Sequence, residues 1–304
     1  MSTPNCLANY FQAVAPTASQ RMLDKFVISE GFHPCNTNGT PQLMCIGFYA
    51  SLWMHAVCNV FTYNHTSASE SSEIHTIFYQ LVMILQMLLH AHFIFNGPQK
   101  PKLKHEQQVK NAPHFLTQCF QELLSAFGFT WNEISKAEAE LIKLNTVGII
   151  DAIFSDDSDI LLFGAPCSSV SNHYDVIEVF MEDTLNHGAH LTQGGLLLIA
   201  LMSGGCGYDI TQKLAHYGLG DTLLQALTTL QLVEFMTTFC VDWCNKVCHV
   251  LTSDPLGILE CKYHNLAHII QATTDFLNPT IIASYLELVT FMVMSCQPDV
   301  TMIS

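Results

Sequence analysis

The chain has 304 residues, 49% of them hydrophobic and only 12% charged, a composition that excludes disorder and leaves ample apolar surface for a core. Eleven Lys and Arg against 26 Asp and Glu give a formal charge of −15, and Arg21 is the sole arginine. That balance argues against a surface built to grip nucleic acid, because Lys and Arg contacts to phosphate supply most non-specific affinity.

Taken in order, residues 1–43 open with a helix-like segment at 7–11 and drift through a Gly- and Asn-rich run at 35–39. Residues 44–53 read as a buried strand turning into a helix. A polar loop at 66–72 precedes a helix from about Glu73 to Leu89 and a strand at 92–95. The most apolar window, residues 78–95, is interrupted by Gln80, Gln86, His90 and His92, which indicates an amphipathic helix followed by a buried strand rather than a membrane span. A helix carrying Glu138 and Glu140 leads to strands expected at 149–154 and 160–163. Apolar strands separated by helices at this spacing predict a parallel α/β sheet with helices on both faces. From about Thr211 the pattern is helical, with breaks at Pro255, Pro279 and Pro298. No basic-then-apolar leader opens the sequence, so a nuclear or cytoplasmic address is expected, with the twelve cysteines as reduced, mostly buried thiols.

The densest chemistry lies at residues 137–165. Glu138 and Glu140 begin a helix-like run, and a short apolar strand then empties into Asp156, Asp157 and Asp159. In a chain with so few charges, carboxylates gathered where a strand ends point to a divalent cation, which wants oxygen ligands. A pair of such ions clamps the attacking and leaving oxygens of a phosphodiester. Ligand sites in parallel sheets lie beyond the carboxyl ends of strands, where Tyr49, Asn96 and residues 156–159 fall. Structural readings stand beside these: a solvated, helix-capping turn for the aspartates and a polar helix face for the glutamates. Lys100, Lys102 and Lys104 form either a phosphate-facing patch or an ordinary loop. Cys240, Cys244, Cys248, His249, Cys261, His264 and His268 invite a zinc reading. No Cys-x2-Cys pair accompanies them, and Trp243 and Val247 between them favour a core helix.

Several blocks, in order, resemble one family. They are residues 137–165; Met44-Cys-Ile-Gly-Phe-Tyr-Ala-Ser-Leu-Trp53; His92-Phe-Ile-Phe-Asn-Gly-Pro98 followed by Lys100-Pro-Lys-Leu-Lys104; Leu198-Ile-Ala-Leu-Met-Ser-Gly-Gly205; and Trp243 with Leu266-Ala267 and Tyr285. On them the chain resembles the flap endonuclease/XPG superfamily, in its fungal Holliday-junction-resolvase-like branch. The resemblance implies a PIN/XPG-like α/β domain, with an XPG N-terminal-like region at 1–125 and an XPG-I-like region at 126–210. A strand and turn at 198–205 would precede a helical C-terminal domain at 211–304 with a degenerate helix-hairpin-helix. It also implies a structure-specific DNA endonuclease using Mg²⁺ or Mn²⁺. Glu138, Glu140, Asp157 and Asp159 would be catalytic, and Glu138, Asp157, Asp159 and Asn96 would hold metal. Lys100, Lys102 and Lys104 would lie near branched or flap DNA, and the protein would be a monomer with no membrane partner.

The departures from that family are as informative as the matches. Tyr49 stands where the family's Ile-Gly-Ile-Asp-Ala-Ser strand has its aspartate, and Asn96 stands for the aspartate of Phe-Asp-Gly-Pro. Lys136 falls where the register of Ala-Glu-Ala-Glu-Leu places a glutamate. After Gly205 the family's Asp-Tyr-Asp and glycine-rich turn are missing, and the chain runs straight into Cys206-Gly-Tyr-Asp-Ile210. Asn96 for aspartate, Lys136 for glutamate and Leu288 for proline are each single C-to-T or G-to-A changes in plausible codons. These losses together imply impaired or absent cleavage, with no metal held in a degenerate member. The alternative is an interaction module that keeps the nuclease fold without its chemistry.

Overall fold

Apolar residues alternating along short strands and recurring every third or fourth residue along helices divide this chain into two compact units. One comprises residues 19–160 and 165–180, and the other residues 1–18, 161–164 and 181–304. A computed structural model describes residues 18–31, 43–61, 72–97, 103–104, 107–108, 114–134, 136–155, 159–162, 167–170, 176–181, 184–185, 191–206, 208–229 and 233–273. The helix-like segment expected at 7–11 lies outside them.

The first unit runs β1 (Ser19–Met22), α1 (Leu23–Glu30), β2 (Met44–Tyr49), α2 (Ala50–Phe61), α3 (Ser72–Leu85) and β3 (Leu89–Asn96). It continues with the short β4 (Leu103–Lys104) and β5 (Gln107–Gln108), then α4 (His114–Phe127), β6 (Thr130–Ile134), α5 (Ala137–Thr146) and β7 (Ala152–Phe154). A helical turn, α6 (Asp159–Leu162), precedes β8 (Cys167–Val170) and β9 (Val176–Met181). The seven-stranded sheet has the order β1-β9-β8-β7-β2-β3-β6. Strands β8, β7, β2, β3 and β6 run parallel, with Phe48 opposite both Phe93 and Phe154, and Asn96 opposite Ile134. β1 and β9 pair antiparallel, and β4 and β5 form a separate antiparallel ribbon. The parallel sheet flanked by helices is the one the spacing predicts.

Side chains alternate across a strand, so each face of the sheet has its own set. One face carries Met44, Ile46, Phe48, Ala91, Phe93 and Phe95 into the core, where Ile77, Leu81 and Ile84 of α3 meet them at helical spacing. Phe48 stacks on Phe93 with ring centroids 5.0 Å apart, and Trp53 of α2 meets Phe93 edge-on at 5.3 Å. The other face carries Cys45, Gly47 and Tyr49 of β2, with His90, His92, Ile94 and Asn96 of β3. A Cβ on Gly47 would stand 2.5 Å from both Ile150 Cδ1 and Leu141 Cδ2, so the missing side chain is what lets α5 lie against the sheet. At the amino ends, Asp151 closes a reciprocal pair with Cys45. Its carboxylate accepts the Cys45 N–H at 2.7 Å, and its own N–H donates to the Cys45 carbonyl at 2.8 Å. Nearby, His92 Nδ1 and His90 Nε2 lie 2.8 and 3.4 Å from the Thr130 hydroxyl.

Two elements differ from the sequence reading. Of the strand expected at 160–163, residues 160–162 lie in α6 and residue 163 lies outside the described residues; the next described strand is β8. Residues 198–205, expected as strand and turn, belong to the helix α7 (Gln193–Cys206). Both are continuous apolar runs, which carry no period to separate a buried strand from a buried helix. In α7 the residues Leu196 to Ile199 are all buried, so there is no polar face to reveal the 3.6 repeat.

The second unit continues with α8 (Tyr208–Ala215), α9 (Leu219–Thr229), α10 (Val233–Ser253) and α11 (His264–Ala272). A single residue separates α7 from α8 where the family resemblance has a glycine-rich turn. Helix α7 packs on α9 with almost no side-chain spacer: a Cβ on Gly220 would stand 2.0 Å from the Gly194 carbonyl oxygen. Trp243 of α10 is buried and donates its indole N–H to the Leu219 carbonyl at 2.9 Å. Cys240, Val247 and Cys248 share its burial, while Lys213 of α8 pairs with Glu260 at 2.8 Å. Burial pushes the Cys244 thiol up to about 11, so it is a protonated, unreactive group at neutral pH. Among the described residues, no helix is long and apolar enough to cross a membrane.

Two outcomes follow from this packing. Gly220→Ala destabilises the helical unit by about 1–3 kcal/mol, since the added methyl meets backbone rather than a movable side chain; chemical denaturation followed by circular dichroism measures the loss. Burial, then the charge of His90, holds His92 below its ordinary value of 6.5. The unfolded chain therefore takes the proton first, and the His92 contribution to stability is whole above 6.5 and drains away as pH falls below it. Unfolding free energy measured against pH falls more steeply on that acid side in the wild type than in His92→Asn.

Candidate active site

Strands β2 and β3 end at Tyr49 and Asn96 on the face covered by α5. Both strands are parallel, so these two residues stand together at the carboxyl edge where such sheets place their ligand sites. Helix α5 begins just beyond β6, and its N-cap Lys136 is exposed with no side-chain capping bond. Because the helix rests on Gly47, its first turn reaches this edge and brings Glu138 with it.

The two strand ends bond to each other and to the helix. The Ala137 N–H donates to Asn96 Oδ1 at 3.0 Å, and Asn96 Nδ2 donates to the Tyr49 phenol oxygen. The path thus runs from the first residue of α5 through Asn96 to the Tyr49 phenol. Burial, and then the Glu138 charge, push the Tyr49 phenol well above its ordinary value of 10.0.

The other sequence-predicted site residues are placed as follows. Glu140 is turned about 200° around α5 from Glu138, because each residue advances the helix by about 100°. Its carboxylate lies 3.9 Å from Lys143, a loose pair one turn on. Asp159 begins α6, although its side chain is outside the described set, and Asp157 lies outside the described residues altogether. Lys100 and Lys102 also lie outside them, while Lys104 contributes its backbone to β4. The structure thus joins Asn96 to the first residue of α5 and to Tyr49, which the sequence places at a strand end in the position of a missing acid. The signal was available: Tyr49 and Gly47 alternate onto one face, and that face meets the helix carrying Glu138. Among the described residues, no three His, Cys, Asp or Glu side chains gather as a metal-holding group.

Residues 134–206, which contain α5, β7 and the aspartates, match the XPG I-region family. That match covers this segment and not the whole chain. Solved structures share its fold. A eukaryotic junction-resolving enzyme, GEN-1, solved with cesium, superposes with a TM-score of 0.67 at 20% identity, over 94% of this chain and 68% of that one. The Holliday junction-resolving enzyme GEN1 with product DNA and Mg²⁺ gives 0.64 at 21% identity, over 95% and 68%. The catalytic core of Rad2 in complex with DNA substrate gives 0.59 at 17% identity, over 91% and 84%. Among curated proteins no sequence matches.

The Mg²⁺ of the GEN1 complex raises the question of fit. Among the described residues at the carboxyl edge of β2 and β3, Asn96 offers an amide oxygen already accepting an N–H, and Tyr49 a protonated phenol. A hard divalent ion wants a near-complete shell of oxygens, with charge to offset its own. These two side chains do not supply it.

The phenol gives a direct test of the geometry. Tyr49 stays protonated in the native chain to higher pH than in the unfolded chain, so its stabilising share is present below 10.0 and lost as pH rises beyond it. In an alkaline titration read by ultraviolet absorbance, Tyr49→Phe leaves the reversible native phase unchanged. The step that accompanies alkaline unfolding shrinks by one phenol.

Proposed function

We propose that this chain is, by descent, a metal-dependent, structure-specific DNA endonuclease whose cleavage is impaired or absent. The observation that carries this reading is the lack of acids at two strand ends. Where the resemblance implies aspartates they present Tyr49 and Asn96, which bond to each other, and Asn96 also accepts the Ala137 N–H of α5. A two-metal nuclease needs dense negative charge there to hold its ions and to lower the pKa of the attacking water. In this reading Asp157, Asp159, Glu138 and Glu140 are the carboxylates remaining from the ancestral site, and Lys100, Lys102 and Lys104 the remaining cations near DNA. Mg²⁺ or Mn²⁺ would be the cofactor of any residual activity, and branched or flap DNA its substrate. The GEN1 and Rad2 structures, solved with product or substrate DNA, support that substrate class. A monomer working in the nucleus or cytoplasm completes the proposal.

One further observation favours a second reading, a nuclease-fold interaction module without catalysis. Helix α3 leaves Phe78, Tyr79, Met83 and Leu85 exposed, with Tyr79 at 66%. Apolar side chains gathered on one exposed helix are a common mark of a protein contact.

Labelled 5′-flap and four-way-junction DNA, incubated with Mn²⁺, distinguish these readings from an active enzyme. The expected result is no cleavage above that of an Asp157→Asn, Asp159→Asn control. Cleavage that disappears in the control would establish an active nuclease and overturn the proposal.

A further inference from the structure

We propose that Asn96-Gly97 is a latent site of spontaneous deamidation, held shut by the hydrogen bonds at the end of β3 and opened only when that strand end parts from its neighbours. The proposal goes beyond the nuclease reading and does not depend on it.

The sequence supplies the reactive pair. A glycine after an asparagine leaves the backbone nitrogen unhindered and the chain able to turn back on the side chain. The Gly97 nitrogen, once its proton is lost to solvent base, attacks the Asn96 side-chain carbonyl carbon. A carbon–nitrogen bond forms in a cyclic imide, the side-chain amide bond breaks, and the amide nitrogen takes up a proton and leaves as ammonia. Water then opens the imide at one of its two carbonyls, giving aspartate or isoaspartate. No atom changes oxidation state, and water is the one co-reactant.

Three features of the fold oppose the attack. Asn96 is the last residue of β3, in register with Ile134 of β6, and its extended backbone holds the following nitrogen away from its own side chain. The Gly97 N–H, at a buried residue, is already donated to the Ile134 carbonyl at 2.8 Å. The Asn96 amide is held at both ends, with Oδ1 accepting the Ala137 N–H at 3.0 Å and Nδ2 donating to the Tyr49 phenol. Turning the amide towards Gly97 breaks both side-chain bonds, and freeing the nitrogen breaks the third. The ends of β2, β3 and β6 and the start of α5 must therefore part before the imide closes. Aspartate, once formed, still accepts the Ala137 N–H and has a second oxygen for the Tyr49 hydroxyl. Isoaspartate lengthens the backbone by a carbon and spoils the pairing with Ile134. Either product adds negative charge at a strand end where the resemblance implies an acid.

Peptide mapping by mass spectrometry, which reads the gain of mass as amide becomes acid, follows Asn96 while the full chain is incubated at neutral pH. Conversion in the native chain is expected to be slower than in guanidinium chloride by about tenfold or more, since it waits on local opening. Tyr49→Phe is expected to speed native conversion about fivefold, the share of one hydrogen bond, and to leave the denatured rate unchanged. Gly97→Ala, whose added Cβ meets nothing closer than 3.6 Å, keeps the fold and is expected to slow the denatured rate about tenfold. A native rate within about twofold of the denatured one would overturn the proposal. So would a folded Tyr49→Phe chain that converts at the wild-type native rate, or a denatured Gly97→Ala chain as reactive as wild type. The wild-type comparison decides the matter by itself where Tyr49→Phe fails to fold.

Discussion

Gly47 has no side chain, and α5 lies close against the sheet at that position. A Cβ there would meet the side-chain ends of Leu141 and Ile150, one on α5 and the other on the turn that follows it, and these would have to shift. With the space open, α5 lies on the sheet, Ile142 and Leu141 become core, and the first turn of the helix arrives at the carboxyl edge. The Asn145 amide then donates to the Ile150 carbonyl at 2.9 Å, and Asp151 ties the following residue to Cys45. A glycine in the middle of a strand costs conformational entropy, and the buried helix it admits offsets that cost.

At the carboxyl edge the first turn of α5 meets two strand ends, and the Asn96 side chain bonds both to the Ala137 N–H and to the Tyr49 phenol. Donors and acceptors matched in this way hold the ends of β2 and β3 to the start of the helix. Core packing and this strand-end cluster draw on different residues, so the fold does not by itself fix the chemistry.

The helical unit makes the same separation visible. Its packing relies on the Gly194–Gly220 approach, on buried Trp243 and on Lys213 with Glu260. None of these belongs to the segment that the sequence lacks after Gly205. The lone arginine is likewise committed to local structure: Arg21 pairs with Glu30 at 2.7 Å and lies over the Phe26 ring. With a formal charge of −15, the proposed loss of cleavage is matched by a poor supply of cations for phosphate.

Much of the scaffold was legible in the sequence. The strand entering a helix at residues 44–53, the helix before β3 and the helix carrying Glu138 all announce themselves by period and by boundary residues. The placement of Tyr49 and Asn96 at strand ends followed from the parallel pattern alone. Two apolar runs, at 160–163 and 198–205, were misread as strands, because a segment buried on every side shows no period and only its neighbours decide its form. The pairing of β1 with β9, the Cys45–Asp151 clamp and the Gly194–Gly220 contact also escaped, since each joins residues far apart in the chain. Sequence by itself determined the scarcity of cations and carried the resemblance that names the missing acids. Tertiary structure alone decided that Asn96 bridges the Tyr49 phenol and the Ala137 N–H, because those contacts exist only once two strand ends and a helix start meet.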